Sequence, residues 1–156
     1  MTTVEKAAER DAGDVLRLLE EIHDIHHSGR PDIFSSSGSK YDRDDVLKLF
    51  ADPDSPSFTV RENGEFRGYA LCRLRRTEET PHMHGSLVLY IDDLCVKSEC
   101  RGQGFGSALL KYLADFAREL HCQRVELNVW EFNEGAKKLY ARFGFVTQRR
   151  QLEFFL

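Results

Sequence analysis

The fold is decided by the run Arg101-Gly102-Gln103-Gly104-Phe105-Gly106, because of what lies on either side of it. Upstream, the apolar run Tyr90–Val96 predicts a buried strand. Downstream, apolar residues recur at helical spacing, at Leu109, Leu110, Leu113, Phe116, Ala117 and Leu120. A glycine-rich turn between a strand and a helix presents free backbone N–H groups at the positive end of a helix dipole. This arrangement is suited to binding phosphate.

Other interpretations of this turn compete with a phosphate-binding loop. Glycine-rich turns are common, so a plain connection between two elements is one of them. A dinucleotide-binding fingerprint is another, and Glu126 lies near the place where that fingerprint has its acidic residue. Counting from Gly102, however, the position of the third glycine is occupied by Ser107. A Walker loop is excluded because no Gly-Lys-Ser/Thr follows the glycines.

The spacing Arg-x-x-Gly-x-Gly, after a strand and before a helix, resembles the pyrophosphate loop of the GNAT superfamily of acyl-CoA N-acyltransferases. The resemblance continues over the C-terminal half in Val125–Asn133, Leu139-Tyr140 and Phe143-Gly144-Phe145. These runs resemble the family's fifth strand, its fourth helix with a tyrosine near the thiol, and its closing Gly-Phe. The resemblance implies a mixed α/β (α+β) fold, in which helices flank a central mixed β-sheet. This sheet would be splayed at the cofactor site, between the strands that end near Val96 and begin near Arg124.

Composition predicts one ordinary globular domain, spanning residues 1–156. Hydrophobic residues make up 41% of the chain and charged residues 31%. No apolar run is long enough to cross a bilayer and no signal peptide is recognisable, so we expect a cytoplasmic protein without a membrane partner. A net charge of -4 argues against nucleic acid as the main partner, and it is compatible with a cationic, amine-bearing substrate.

Neither the cysteines nor the histidines predict a metal site. The cysteines have no CxxC spacing and are expected to be free thiols; they are Cys72, Cys95, Cys100 and Cys122. His23, His26 and His27 cluster at the end of the predicted first helix, but no carboxylate or cysteine completes a ligand set. We expect these histidines to cap the helix or to line the acceptor cleft.

The remaining patterns predict the order of strands and helices. In the first half we expect a strand at Thr3–Ala7, a helix capped by Asp11 that gives way to a loop over His26–Pro31, a second helix capped by Asp42, and a hairpin around Asn63-Gly64. After the glycine loop we expect a helix to about Leu120, a strand Arg124–Trp130, a helix Glu134–Phe143 and a closing strand Phe145–Phe155.

The resemblance implies that acetyl-CoA is the cofactor, used as a co-substrate without a metal. The pyrophosphate would be held by the N–H groups of Gly102, Gln103, Gly104, Phe105, Gly106 and Ser107, with side-chain contacts from Arg101 and Gln103. The pantetheine arm would pair with Leu94, Cys95 and Val96 as if it were another strand, and an N–H there would face the thioester carbonyl. Asn133 would cap the fourth helix and contact the cofactor.

Acyl transfer from a thioester to an amine also needs an acid for the leaving thiolate and a base for the amine. Periodicity alone makes Tyr140 a core aromatic residue, whereas the resemblance makes it the acid. The run Leu89–Leu94 resembles the polyamine acetyltransferase branch, which implies that Asp92 is the base, directly or through water. Asp92 and Asp93 are also candidates for binding the acceptor, with side chains expected on opposite faces of the strand. The competing interpretation is two solvated or capping carboxylates.

Together these observations predict an N-acetyltransferase that moves an acetyl group from acetyl-CoA to a primary amine by direct attack in a ternary complex. We expect a small polyamine-like or amino-acid-like acceptor; a protein N-terminus or lysine is the alternative. From other classes, a non-catalytic acyl-CoA-binding regulatory protein and, more distantly, a dinucleotide-binding oxidoreductase remain open. The oligomeric state stays open, with a homodimer as one alternative because the family that the chain resembles often dimerises. The identity of the acceptor is not determined at this level.

Overall fold

The computed structural model describes residues 1–156 as one mixed sheet with helices on both faces. The strands are β1 (Thr2–Lys6), β2 (Ser57–Glu62), β3 (Glu65–Thr77), β4 (Ser86–Val96) and β5 (Arg124–Leu127). The α-helices are α1 (Ala12–Gly29), α2 (Arg43–Ala51), α3 (Phe105–Glu119) and α4 (Glu134–Phe143). Short 3-10 turns lie at Glu9–Asp11 and Ser98–Cys100. No helix is both long enough and apolar enough to cross a membrane.

The sheet has the order β1-β2-β3-β4-β5 and is splayed at the predicted place. The first four strands are antiparallel, whereas β4 and β5 are parallel. Pairing between β4 and β5 ends at Ile91 and Leu127, but β4 continues to Val96. Residues 92–96 therefore have a free backbone edge on the side from which β5 has diverged.

Alternating side chains along the strands build an apolar layer on each face of the sheet. Ala70 and Cys72 of β3 point into the layer that α3 completes with Leu109, Leu110 and Leu113. The neighbouring β3 residues Tyr69 and Leu71 point into the opposite layer, which contains Val15 and Leu19 of α1 and Val46 of α2. The predicted pattern of a strand before the glycine loop and a helix after it is thus confirmed, because β4 and α3 contribute to the same core.

Two local sequence signals are confirmed by backbone geometry. The Oδ1 atom of Asp42 accepts a hydrogen bond from the Asp45 N–H at 2.8 Å, so Asp42 caps α2 as predicted. Asn63 and Gly64 form the hairpin turn with φ values of 51° and 83°. Left-handed backbone at both positions is what a tight two-residue turn requires, and Asn-Gly supplies it at low cost.

The predicted ends of α1 are wrong in two respects. The expected loop over His26–Pro31 begins only at Arg30, because the helix continues to Gly29. Asp11 makes no side-chain cap to this helix; its buried carboxylate instead accepts from the Ala8 N–H and forms an ion pair with Arg61. The end of α1 is held by contacts of its histidines with the loop that follows, and the Asp11 carboxylate is drawn to Arg61, which is distant in sequence.

The predicted closing strand Phe145–Phe155 is absent, and β5 ends three residues short of the predicted Trp130. The Phe145 N–H donates to the Tyr140 carbonyl at 3.0 Å, but residues 146–156 make no backbone–backbone hydrogen bond. Leu152 and Phe154 are 88% and 89% exposed. A strand needs a neighbour, and within this single chain none is paired with the terminal segment.

Candidate active site

The glycine loop presents free N–H groups where a phosphate-binding loop needs them. Gly102 and Gly104 have φ values of 75° and 92°. This left-handed backbone conformation is strained for residues that carry a side chain. The N–H groups from Gly102 to Gly104 have no acceptor within the protein. Helix α3 then begins at Phe105 with no side-chain cap, so the N–H groups of its first turn are free as well.

The side chains of the loop are arranged less favourably than its backbone. Arg101 Nε donates to the Val96 carbonyl at 3.4 Å, and Gln103 Nε2 donates to the Glu99 carbonyl at 3.1 Å. Phe105 is 3% exposed and belongs to the core beneath α3, so only its N–H group faces the loop. The backbone is therefore the part of this loop that is ready to receive an anion.

A close contact between two helices brings the glycine loop near the second half of the site. A Cβ atom at Gly106 would lie 2.9 Å from Cδ2 of Leu139, so α4 packs directly on the first turn of α3. Asn133 caps α4, because its Oδ1 accepts from the Ala136 N–H at 3.2 Å, as predicted. The next residue after Leu139 is Tyr140, which is thereby positioned between the two helices and the splayed sheet.

The splay between β4 and β5 opens into a cavity of about 480 Å³. Five of the predicted site residues line it, namely Asp92, Asp93, Leu94, Asn133 and Tyr140. Cys95 and Val96 do not line it; Cys95 is buried in the layer beneath α1 and α2. The glycine loop also lies outside this cavity, at the far end of the free edge of β4. The glycine loop, the free edge of β4 and the cavity with its two aspartates together make up the candidate site, here called the groove.

The prediction that Asp92 and Asp93 point to opposite faces of the strand is wrong. In the pairing of β3 with β4, Leu71 is opposite Asp93 and Cys72 is opposite Ile91, which leaves Asp92 as an extra residue. Such a β-bulge breaks the strict alternation of side chains and redirects the bulged residue. Both carboxylates consequently reach the same cavity.

A lysine that the sequence analysis did not single out lies between these carboxylates. Lys40 Nζ is 3.0 Å from Asp92 Oδ2 and 3.1 Å from Asp93 Oδ2. The Tyr41 hydroxyl donates to Asp92 Oδ2 at 2.8 Å, and Arg73 donates to the Tyr41 oxygen at 3.0 Å. Lys40 and Tyr41 belong to an unpatterned loop more than fifty positions before the two aspartates, and no sequence signal connects them to these residues.

The aspartates and the lysine shift one another's protonation equilibria. Burial raises the pKa of Asp93 to about 6, with a further increase from Asp92 and an opposing decrease from Lys40. Burial acts to lower the pKa of Lys40, but attraction to Asp93 and Asp92 outweighs it, so that the pKa is raised. The cavity thus holds a carboxylate that titrates near neutral pH beside a stably charged ammonium group.

Tyr140 is placed as a neutral phenol at the wall of the cavity. Its ring packs edge-on against Phe145, with centroids 5.6 Å apart, and its hydroxyl forms no hydrogen bond within the protein. Burial, followed by the nearby Asp93 and Cys95, raises its pKa to about 12. At neutral pH the hydroxyl therefore carries its proton and is free to donate it.

Aromatic side chains and histidines form the side of the cavity opposite the aspartates. Phe34 stacks on His26 at 5.0 Å and meets Trp130 edge-on at 5.5 Å. Two histidines of α1 hold the loop that carries Phe34. His23 Nε2 donates to the backbone carbonyl of residue 35 and His27 Nδ1 to that of residue 34, both at 2.8 Å. These contacts explain why α1 extends through its histidines. No group of three or more His, Cys, Asp or Glu side chains is arranged to hold a metal ion.

Known proteins share the sequence pattern and the fold of this chain. Residues 19–145 match the sequence profile of the acetyltransferase (GNAT) family. The chain is 25% identical over 152 residues to thialysine N-epsilon-acetyltransferase from Bos taurus, covering 90% of this chain and 82% of that one. It is 31% identical over 83 residues to the spermine/spermidine N(1)-acetyltransferase of Bacillus subtilis, covering 53% of each. A mutant of the BH1408 protein from Bacillus halodurans has the same fold, with a TM-score of 0.95, 26% identity and 99% of each chain covered.

Proposed function

This chain belongs to the GNAT family of acetyltransferases and is an acyltransferase, and on that premise we propose that it transfers an acetyl group from acetyl-CoA to a small primary amine. The amine attacks the thioester directly while both substrates are bound. One observation carries the proposal. An ammonium group, that of Lys40, is already bound between Asp92 and Asp93 in the cavity that Tyr140 lines.

The groove offers matching surfaces for the length of acetyl-CoA. The N–H groups from Gly102 to Ser107 would hold the pyrophosphate, because they lack partners and lie at the start of α3. The free edge of β4 at Leu94, Cys95 and Val96 would pair with the amide groups of the pantetheine arm. Asn133 and Tyr140, which both line the cavity, would then flank the thioester.

The acceptor half supplies the groups that the reaction consumes and regenerates. The acceptor ammonium binds the carboxylate pair and loses a proton to one of them; its nitrogen then forms a bond to the acetyl carbon as the carbon–sulfur bond breaks. Tyr140 gives its proton to the departing thiolate and regains one from the new amide nitrogen, and the carboxylate releases its proton to solvent. The sequence analysis placed the base at Asp92, but burial and a pKa near 6 favour Asp93. Asp92, held by Tyr41, then binds and orients the ammonium.

The walls of the cavity support a small acceptor. The aromatic side chains of Phe34 and Trp130 pack together and line the same cavity as the aspartates, and the histidines hold Phe34 in place. Two relatives carry the names of small-amine enzymes, one for thialysine and one for spermine and spermidine. A small diamine or an amino acid with a side-chain amine fits a site that pairs one ammonium with two carboxylates.

A thiol-release assay with a panel of amines tests this proposal. With acetyl-CoA present, spermidine, thialysine and lysine should release free thiol faster than a peptide offered as an N-terminal or lysine acceptor. Fast turnover of the peptide alone would favour a protein acetyltransferase instead. Binding of acetyl-CoA without thiol release from any amine would indicate the non-catalytic acyl-CoA-binding alternative, and binding of NAD without coenzyme A would indicate a dinucleotide enzyme.

We further propose that two copies of the chain associate through residues 145–156. The end of this segment exposes the apolar side chains of Leu152, Phe154, Phe155 and Leu156, and its backbone is unpaired. The outer edge of β5 is likewise unpaired in this chain, so a segment from a second copy has a strand to join. Sedimentation should show a dimer that Phe154→Lys dissociates and Arg149→Lys does not. A monomeric wild-type protein would contradict this proposal.

A further inference from the structure

We propose that Lys40 is a self-acetylation site: with acetyl-CoA bound and no external amine in the cavity, the enzyme acetylates this lysine of its own chain. The inference rests on the proposed function, since it uses the same acetyl donor, base and acid. It adds a modification site to that function, and its test distinguishes a failure of this inference from a failure of the proposed function. Its starting point is the position of the Lys40 ammonium rather than any property of the carboxylates alone.

The Lys40 nitrogen lies within reach of the proposed base. A general base works when it is within hydrogen-bonding reach, about 2.6–3.2 Å, of the atom whose proton it takes. Lys40 Nζ meets this requirement, at 3.1 Å from Asp93 Oδ2 and 3.0 Å from Asp92 Oδ2. The same cavity is lined by Tyr140. An external amine that used this base would have to displace Lys40 from the same place.

The loop that carries Lys40 is fastened at both ends and free between them. On one side, His23 and His27 bind the carbonyl groups of residues 35 and 34; on the other, Asp42 caps α2. Residues 35–41 make no backbone–backbone hydrogen bonds, so the segment can adjust by the short distance that an attack on a thioester needs. Tethering keeps the amine at a high effective concentration, which compensates for its strong preference for the charged form.

The chemistry of the step balances without any further reactant. The Lys40 ammonium gives one proton to Asp93, and the free amine forms a nitrogen–carbon bond to the acetyl group as the carbon–sulfur bond breaks. The thiolate takes the Tyr140 proton, the second nitrogen proton restores the Tyr140 hydroxyl, and Asp93 releases its proton to solvent. The products are N-acetylated Lys40 and coenzyme A.

The other lysines do not share this environment. Lys111 pairs with Asp115 on the exposed surface of α3, and Lys137 pairs with Glu131 and Glu134 at the start of α4. Neither residue lines the cavity. Acetylation directed by the active site should therefore be confined to Lys40. The acetylated side chain carries no charge, so neither ion pair re-forms, and the carboxylates become available to a cation from solution.

The test is incubation of the full-length enzyme with acetyl-CoA alone, followed by intact mass and peptide mapping. We expect one acetyl group, at Lys40, added at a first-order rate that does not change when the protein is diluted tenfold. Lys40→Arg should retain the cation and take up no acetyl group there. Tyr140→Phe retains the lysine but should lose its acetylation, which separates the enzymatic reaction from spontaneous chemistry. Excess spermidine should protect Lys40.

Each remaining outcome has a definite meaning. If an external amine is acetylated but Lys40 stays unmodified, this inference is wrong and the proposed function survives. If neither the amine nor Lys40 is acetylated, the proposed function itself fails. If Lys40, Lys111 and Lys137 were acetylated to the same extent, and equally in Tyr140→Phe, then exposed amines would be reacting spontaneously. A rate that rises with protein concentration would show transfer between molecules and would overturn the internal reaction.

Discussion

The cofactor half and the acceptor half of the groove are built in different ways. The cofactor half uses backbone groups, the free N–H groups of the glycine loop and the free edge of β4, all within one continuous stretch of chain. The acceptor half uses side chains, and its central contact joins Lys40 to Asp93 across 53 positions. A site built from backbone groups can be recognised in the sequence as a local glycine pattern. A site built from side chains depends on which distant loop folds over it.

The largest expected effect is at Tyr140, where the two halves meet. Tyr140→Phe removes the proton donor but keeps the ring that packs on Phe145, so turnover should fall by about 10²–10⁴-fold. Coenzyme A affinity, measured by calorimetry, should stay the same. Tyr112→Phe on α3 is the matched control and should be neutral. Wild-type turnover in Tyr140→Phe would remove the role assigned to this residue.

The next effect separates the two aspartates. Asp93→Asn should lower turnover by about 100-fold because it removes the proposed base, whereas Asp92→Asn should mainly raise the KM of the acceptor. In the wild type, kcat/KM should rise as the pH passes through about 6, where Asp93 becomes ionised. Asp93→Asn should lack that step. If Asp92→Asn loses the step instead, the base is Asp92, as the sequence analysis expected.

A substitution in the glycine loop should affect only the cofactor half. Gly104→Val forces a branched side chain into left-handed backbone, at a cost of about 1–3 kcal/mol, and coenzyme A affinity should fall by about 10–100-fold. Gly13→Val is the control, since Gly13 lies in α1 with open space around it. Titration calorimetry checks both variants. Unchanged affinity in Gly104→Val would contradict the assignment of the loop to the pyrophosphate.

A stability measurement tests the acceptor half without catalysis. The pKa of Asp93 is raised on folding, so the folded state holds its proton more tightly and stability declines as pH rises from about 4 to about 6. Asp93→Asn removes this cost, and the variant should be more stable than wild type by about 1–2 kcal/mol at pH about 8. The difference should vanish near pH about 4. Urea unfolding at both pH values measures it, and equal stability at high pH would contradict the shift.

The smallest effect concerns competition inside the acceptor half. Lys40→Met removes the ammonium that occupies the carboxylate pair, so the KM of a small amine should fall by about 2–5-fold, the range expected for a half-exposed ion pair. Lys48→Met on α2 is the control. An increase in KM would mean that Lys40 helps to bind the acceptor instead of competing with it.

Where the sequence analysis succeeded, short-range rules were sufficient. The helix bounds Glu134–Phe143, the cap at Asn133 and the strand–loop–helix arrangement around Gly104 were all predicted. Where it failed, long-range contacts prevailed. The Asp11 carboxylate pairs with Arg61 and does not cap α1, and the segment Phe145–Phe155 makes no backbone pairing within the chain, although the outer edge of β5 is free.

The sequence by itself determined the backbone loop offered to a phosphate, because glycine spacing and apolar periodicity act over a few residues, and the resemblance of its motifs to the GNAT family implied the splayed sheet. Only the tertiary structure decided what faces the acceptor. The bulge at Asp92 depends on how β4 pairs with β3, and it turns both carboxylates to one cavity. Lys40 reaches them from a loop without any pattern of its own. Side-chain convergence of this kind is a property of packing, and packing is settled only when distant parts of the chain meet.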